Sequence, residues 1–142
     1  MTYLKQDADV NVLFIDENSK EDIQNYFKQV IYKLEEEELT NNLINDFCNV
    51  KAPFRSRLFL KAKSDQIPNE FEILRNSKLK PLIVFGGQDK IVNQNYLDNS
   101  NIQMWKEKPK SISNAGHLVH LDQPPLFNQI LFEYAKECFK EA

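Results

Sequence analysis

An aspartate and a histidine stand out because each follows a glycine that ends a predicted strand. Asp89 comes after the apolar run 82–85 and the glycine pair 86–87, and His117 comes directly after Gly116. If the two strands are parallel neighbours, both side chains project from the same edge of the sheet. A carboxylate there orients an imidazole through one ring nitrogen, and the other nitrogen can take a proton from a nucleophile.

Other interpretations of this pair remain open at this point. Asp89 could be a turn residue after the glycines, and His117 could simply fill a bend. Asp16 is a rival acid, because it follows a stretch, residues 10–15, that is predicted to be extended.

Four further residues near the pair have a functional and a structural interpretation. Tyr96 and Trp105 are candidates for lining a substrate pocket, with aromatic core packing as the alternative. His120 is expected to pack or to form a hydrogen bond. Asp122 is expected to be a helix-start acid rather than a catalytic one.

The elements before the pair are predicted to be helical over roughly the first 75 residues. Ser19 and Asp22 have the spacing of a capping box. The first helix then shows one apolar stripe of Ile23, Tyr26, Phe27, Val30, Ile31 and Leu34. A second helix is predicted around Leu39, Leu43, Ile44 and Phe47, a third from Pro53 with Leu58, Phe59 and Ala62 on its buried side, and a short fourth after Asn69.

The second half of the chain has the pattern of an α/β fold. Residues 82–85 are predicted to be a strand buried on both faces of a parallel sheet, and residues 109–116 a weaker strand. The closing helix begins at Pro124 and carries Phe127, Ile130, Leu131, Tyr134, Cys138 and Phe139 on one side. Two strands are too few for a parallel sheet buried on both faces. The chain is therefore expected to be the end of a larger α/β domain with a right-handed connection.

Composition narrows the class of protein. The 142 residues suit one domain, with 42% hydrophobic and 27% charged residues. A net charge of −3 with scattered basic residues argues against a nucleic-acid partner. No apolar run is long enough for a membrane span, so a cytoplasmic protein is expected. Cys48 and Cys138 are predicted to be buried free thiols, and with only two histidines a metal site has little support.

Two motifs in this half resemble the C-terminal part of the α/β-hydrolase fold family. There the acid follows a strand in a G-x-x-D setting, which residues 86–89 match. The histidine lies in a G-H-x-x-x-x-(E/D)-x-P setting, which Gly116 and His117 match together with Asp122 and Pro124. The resemblance implies that Asp89 orients His117, that His117 acts as general base and then acid, and that no cofactor is needed.

The resemblance covers about residues 10 to 139. The segments EDIQNYFKQVI (21–31) and APFRSRLFLKAKSD (52–65) look like the helical cap, and NQNYLDNSNIQMWKEK (93–108) is similar to a subgroup that includes acyl-homoserine-lactone hydrolases. It implies a helical cap over 1–76 and the C-terminal part of the hydrolase core over 77–142.

The sequence departs from this family in one respect. Its members carry the nucleophilic serine on a G-x-S-x-G elbow that precedes the acid and the histidine, and no such segment occurs among the 142 residues. We therefore expect the C-terminal half of a hydrolase of a small ester or lactone, inactive by itself. A longer gene product or a second chain would supply the serine and the oxyanion hole.

The alternative is a non-catalytic, shortened protein that binds a partner or ligand through the cap. In either case the unpaired edge of the strand at 81–86 predicts self-association into an oligomer or aggregate.

Overall fold

The computed structural model describes residues 3–64, 69–78 and 80–140, so that Asp65, at the end of the predicted cap segment, lies outside the described residues. The elements are α1 Lys20–Val30, α2 Glu37–Asn49, α3 Phe54–Ala62, α4 Glu70–Asn76, β1 Val84–Gly86, β2 Lys110–Ile112, α5 Val119–Asp122 and α6 Pro124–Cys138. Short 3₁₀ turns occur at Asn11–Leu13, Gln94–Leu97 and Trp105–Glu107. None of the helices in these described ranges is long and apolar enough to cross a membrane.

The predicted start of α1 is confirmed in atomic detail. The Asp22 amide donates to Ser19 Oγ at 3.1 Å, and the Ser19 amide donates to Asp22 Oδ2 at 3.2 Å. This reciprocal pair satisfies two amides at the helix start. The helix then buries Ile23, Phe27 and Val30 of the predicted stripe and ends at Val30, before its last two members, Ile31 and Leu34.

Two local predictions in the helical half are wrong. Residues 10–15 are not extended, because the Asn11 amide turns back to the Asp9 carboxylate and opens a 3₁₀ turn. Leu58 is 47% exposed, and Arg55 is the buried residue of α3. The Arg55 guanidinium lies 3.8 Å from the centre of the Phe47 ring and donates to the Phe47 carbonyl at 2.7 Å, so its charge is satisfied inside.

Both cysteines are exposed, contrary to prediction. In α2 the neighbouring residues Ile44 and Phe47 face the core, and Cys48 lies off that face. Cys138 is at the end of α6, a helix in which no residue is fully buried.

The sheet is formed by β1 and β2, which pair in parallel with Phe85 opposite Ser111. The predicted strand at 82–85 exists but begins two residues later, at Val84. Val84 is only half-buried, and within the described residues β1 pairs with no strand other than β2. Burial on both faces is thus incomplete.

The core is divided into two clusters. The larger runs from Val12 to Met104 and combines α1 and α2 with residues after β1. The smaller packs α6 against the end of β2 and the start of α5, through Ile112, Ala115 and Val119. The larger cluster contains residues from both sides of position 76, so it does not separate a cap over 1–76 from a core over 77–142. That division of the chain stays a prediction.

Candidate active site

The turns that follow β1 and β2 are bonded to each other. The Gly87 amide donates to the Ile112 carbonyl at 2.7 Å, and the Gln88 amide donates to the Ala115 carbonyl at 2.9 Å. A second hydrogen bond joins the same two residues, because the Gln88 side-chain oxygen accepts from the Ala115 amide at 3.1 Å. These bonds hold the two strand ends at one edge of the sheet, where side chains from both can meet.

Glycine is required at two points of this arrangement. A Cβ atom on Gly86 would lie 1.9 Å from the Gly116 carbonyl oxygen, far inside van der Waals contact. A Cβ atom on Gly116 would lie 2.7 Å from the Val30 carbonyl oxygen at the end of α1. The backbone approaches that bring the strand ends together are therefore closed to any other residue type.

Asp89 and His117 meet at this edge. His117 Nδ1 lies 2.9 Å from Asp89 Oδ2. The other carboxylate oxygen, Oδ1, accepts from the amides of Ile91 at 2.7 Å and Val92 at 3.0 Å. The Asp89 side chain is 2% exposed and the His117 side chain 33% exposed. The carboxylate is thus fixed on both sides, while part of the imidazole faces solvent.

The charge state of Asp89 follows from its contacts. Burial alone would raise the pKa of this carboxyl, but the hydrogen bonds from His117 and from the amides of Val92 and Ile91 outweigh burial, and the pKa lies below its usual value. An ionised carboxylate only accepts, so the proton between the two side chains belongs to His117 Nδ1. His117 Nε2 has no hydrogen-bond partner among the described residues, which leaves it free to accept a proton.

Asp122 has a role that the sequence analysis missed. Its carboxylate accepts from the Gly116 amide at 2.8 Å and from the Tyr32 amide at 2.9 Å. It ends α5 and does not cap α6, so its expected role as a helix-start acid is wrong. The available signal was its fixed position in the G-H-x-x-x-x-D pattern, six residues after Gly116.

Asp16, the rival acid, lies at the start of α3. Its carboxylate accepts from the amides of Arg55 at 3.0 Å and Ser56 at 3.2 Å and from the Ser56 hydroxyl. The hydroxyl bond, with the amide bonds, lowers the pKa of this carboxyl against the effect of desolvation. These contacts describe a helix cap, and among the described residues none of them joins Asp16 to His117.

The two aromatic candidates lie in packed clusters. The Tyr96 ring stacks edge-on to Tyr3 at 4.8 Å and lies 6.4 Å from Phe85 of β1. Burial, with the charge of Glu70, raises the pKa of Tyr96 to about 12. Trp105 is buried, and its ring meets that of Tyr134 at 5.5 Å. A substrate-pocket role for both residues stays a prediction.

Two features complete the surroundings of the site. His120 is exposed, and its ring lies 6.0 Å from that of Phe127, in agreement with a packing role. No group of three or more His, Cys, Asp or Glu side chains within residues 3–64, 69–78 and 80–140 is arranged to hold a metal ion.

Comparisons with known proteins identify the fold. No family model matches the sequence, and no curated protein does either. Among solved structures, N-acyl homoserine lactonase AidH with bound N-hexanoyl homoserine lactone superposes with a TM-score of 0.85 at 20% identity, over 97% of this chain and 50% of that one. Carboxylesterase CesB from Bacillus subtilis gives a TM-score of 0.68 at 19% identity, over 94% and 46% of the two chains.

A third structure, the meta-cleavage product hydrolase CumD from Pseudomonas fluorescens IP01, gives a TM-score of 0.66 at 17% identity, over 91% of this chain and 50% of that one. The chain therefore has a partial α/β-hydrolase fold and spans about half the length of these structures. The fold class predicted from the G-x-x-D and G-H motifs is confirmed.

Proposed function

We propose that this chain carries the acid–base half of an α/β-hydrolase active site that cleaves a small ester or lactone. His117 is the general base and then the general acid, and Asp89 orients it. The observation that carries the proposal is the 2.9 Å contact between His117 Nδ1 and Asp89 Oδ2. It occupies one ring nitrogen and leaves the second, unbonded in the described part of the chain, to receive a proton.

The reaction proceeds in two proton-transfer cycles. A serine hydroxyl from a segment outside the 142 residues attacks the substrate carbonyl carbon while His117 Nε2 takes its proton. The Asp89 carboxylate stabilises the imidazolium that forms. His117 then gives the proton to the leaving alkoxide oxygen as the acyl–oxygen bond breaks. In the second cycle water attacks the acyl-serine, and His117 again accepts a proton and returns it to the serine.

The substrate class is supported by the similar structures. The names of two of them describe a lactonase and a carboxylesterase, and both reactions are attacks on an ester carbonyl. Tyr96 is the better placed of the two proposed pocket residues, because its ring lies beside Phe85 in the strand that leads to Asp89. Trp105 is the weaker candidate, because its ring packs against Tyr134 of α6 and its amide donates to the carbonyl of Pro81, before β1 begins.

The segment that carries the serine would also cover two exposed surfaces of this chain, the free edge of β1 and one side of α6. Within the described residues β1 has a single neighbouring strand, and α6 leaves Leu126, Leu131 and Phe132 more than two-fifths exposed. A segment that carries the G-x-S-x-G elbow would cover them as further strands and a helix. Without such a segment the chain would self-associate and hydrolyse nothing at a useful rate.

A serine-reactive fluorophosphonate probe tests this function. We expect no labelling of this chain alone, and labelling when the same His117–Asp89 half is combined with a G-x-S-x-G segment, in a longer polypeptide or as a companion chain. His117→Ala should slow that labelling by about 10²- to 10⁴-fold, the range of a general base. His120→Ala, at the other histidine of the chain, should leave the rate unchanged.

Three results would count against the proposal. Labelling of the isolated chain would place the nucleophile within it. Equal rates for His117→Ala and the unaltered protein would remove the base. A combined protein that folds but is never labelled would favour the alternative, a non-catalytic binding protein.

A further inference from the structure

The Asp122 carboxylate joins two distant segments of backbone. Its Oδ2 accepts from the Gly116 amide at 2.8 Å, and its Oδ1 accepts from the Tyr32 amide at 2.9 Å. The Lys33 amide lies 3.5 Å from Oδ1 and adds a weaker contact. The Tyr32 amide also lies 3.0 Å from Oδ2. Oδ2 therefore contacts both the loop of His117 and the residues that follow α1, and Oδ1 contacts only the latter.

The same two segments are joined again on the other side of His117. The Leu118 amide donates to the carbonyl of Val30, the last residue of α1, at 2.9 Å. Between these bonds Gly116 packs so closely that a Cβ atom would lie 3.0 Å from the Tyr32 nitrogen. The residue before and the residue after His117 are thus both fixed to the end of α1, one through Asp122 and one directly.

We propose that Asp122 is a positioning residue for His117, a role that deepens the proposed function and rests on it for its catalytic consequence. Among the described residues Asp122 has no hydrogen bond or ion pair with the His117 side chain, so it acts through the backbone. By fixing the Gly116 amide it sets where the His117 Cα lies relative to Asp89. The imidazole keeps its bond to Asp89 only while the loop stays in this place.

The chemistry of the bond predicts that a carboxylate is needed. Amide donors to an ionised acceptor form hydrogen bonds about twice as strong as those between neutral groups. Asparagine has one acceptor oxygen and one NH₂ group. With its oxygen in the place of Oδ1 it loses the Gly116 bond. With its oxygen in the place of Oδ2 it can accept from Gly116 and Tyr32, but as a neutral acceptor, and its NH₂ group is then directed against the Tyr32 and Lys33 amides. Glutamate keeps two acceptor oxygens on a longer side chain.

Asp122→Asn in the full chain is the test, read by NMR on His117 and on the Gly116 amide. We expect Gly116 amide exchange to become about 10- to 100-fold faster, because its hydrogen bond is either lost or loses its charged acceptor. The resonance of the proton on His117 Nδ1 should weaken or broaden, because the loop no longer holds the imidazole against Asp89. Asp98→Asn, an exposed acid after the 3₁₀ turn Gln94–Leu97, should change neither signal.

The proposal is overturned if folded Asp122→Asn keeps both the slow Gly116 exchange and the His117 Nδ1 proton. Asp122→Glu is made in parallel and covers the case in which the asparagine variant does not fold. In the glutamate variant the slow Gly116 exchange and the His117 Nδ1 proton should be kept together or lost together, because the proposal ties the second to the first. Loss of Gly116 protection with an unaltered His117 signal contradicts it.

These readouts separate the inference from the proposed function. They need no nucleophile and no substrate, so the positioning role can hold even if the labelling experiment fails. In the combined protein, Asp122→Asn should also slow labelling, and Asp122→Glu should restore part of the rate.

Discussion

Asp89→Asn should lower the free energy of unfolding at about pH 7 by about 2–3 kcal/mol, the range for hydrogen bonds to a charged, buried group. The carboxylate accepts from His117 and from the amides of Ile91 and Val92. An asparagine amide cannot accept at both ends, so the amides of Ile91 and Val92 lose their charged acceptor, and His117 keeps a bond only by changing its tautomer. Urea unfolding of the two proteins measures the difference.

The pH dependence of that difference identifies its cause. In the folded chain the pKa of Asp89 lies below its usual value, so its carboxylate stabilises the fold fully above the unfolded pKa of about 3.9. That contribution is lost as the pH falls through the lower, folded pKa. The gap between wild type and Asp89→Asn should therefore persist from about pH 7 to about pH 5 and close below about pH 4. A gap that does not change with pH would show that the carboxylate charge is not what stabilises this site.

An exposed aspartate provides the matched control. Asp98→Asn makes the same change of charge on the surface, and we expect a change in stability within about 0.5 kcal/mol. A loss as large as that of Asp89→Asn would mean that net charge, and not the contacts of Asp89, decides the result.

Gly86→Ala should lower stability by about 3 kcal/mol, at the upper end of overpacking effects. The added methyl group would lie 1.9 Å from the Gly116 carbonyl oxygen and 2.3 Å from that of Ala115. Both atoms are backbone, so no side chain can rotate away, and the two strand ends must separate. Asp89 and His117 lie on those strand ends, and their hydrogen bond should break with them.

Gly87→Ala is the matched control one residue further on. Its methyl group would meet the Ile112 carbonyl oxygen at 3.3 Å and no closer atom, a contact that a small shift relieves. We expect a loss below about 1 kcal/mol and an unchanged His117 Nδ1 proton signal. Thermal or urea unfolding of the two variants side by side measures the contrast, and equal losses would contradict the tight approach at Gly86.

Much of the site could be predicted because its signals are local in the sequence. Glycines at strand ends mark places where backbones approach, and Asp89 and His117 follow them directly. The same holds for Ser19 and Asp22, whose capping box depends on a spacing of three residues. Patterns of this length determine helix starts and strand ends with little help from the rest of the fold.

Several of the errors concern contacts that no local pattern of the sequence indicates. Asp122 bonds to Tyr32, 90 residues away, and nothing near Asp122 in the sequence indicates that partner. The burial of Arg55 depends on a neighbouring helix that provides the Phe47 ring and carbonyl. Cys138 was predicted to be buried on the assumption that α6 is covered along its whole length, and its end is not.

The tautomer of His117 tests the central claim most directly. NMR of the ¹⁵N-labelled chain, at a pH where the imidazole is neutral, distinguishes a protonated from an unprotonated ring nitrogen. The account predicts a proton on Nδ1, shared with Asp89, and a bare Nε2, with this pattern lost in Asp89→Asn. A neutral His117 that carries its proton on Nε2, with Nδ1 bare, could not donate to Asp89 and would contradict it.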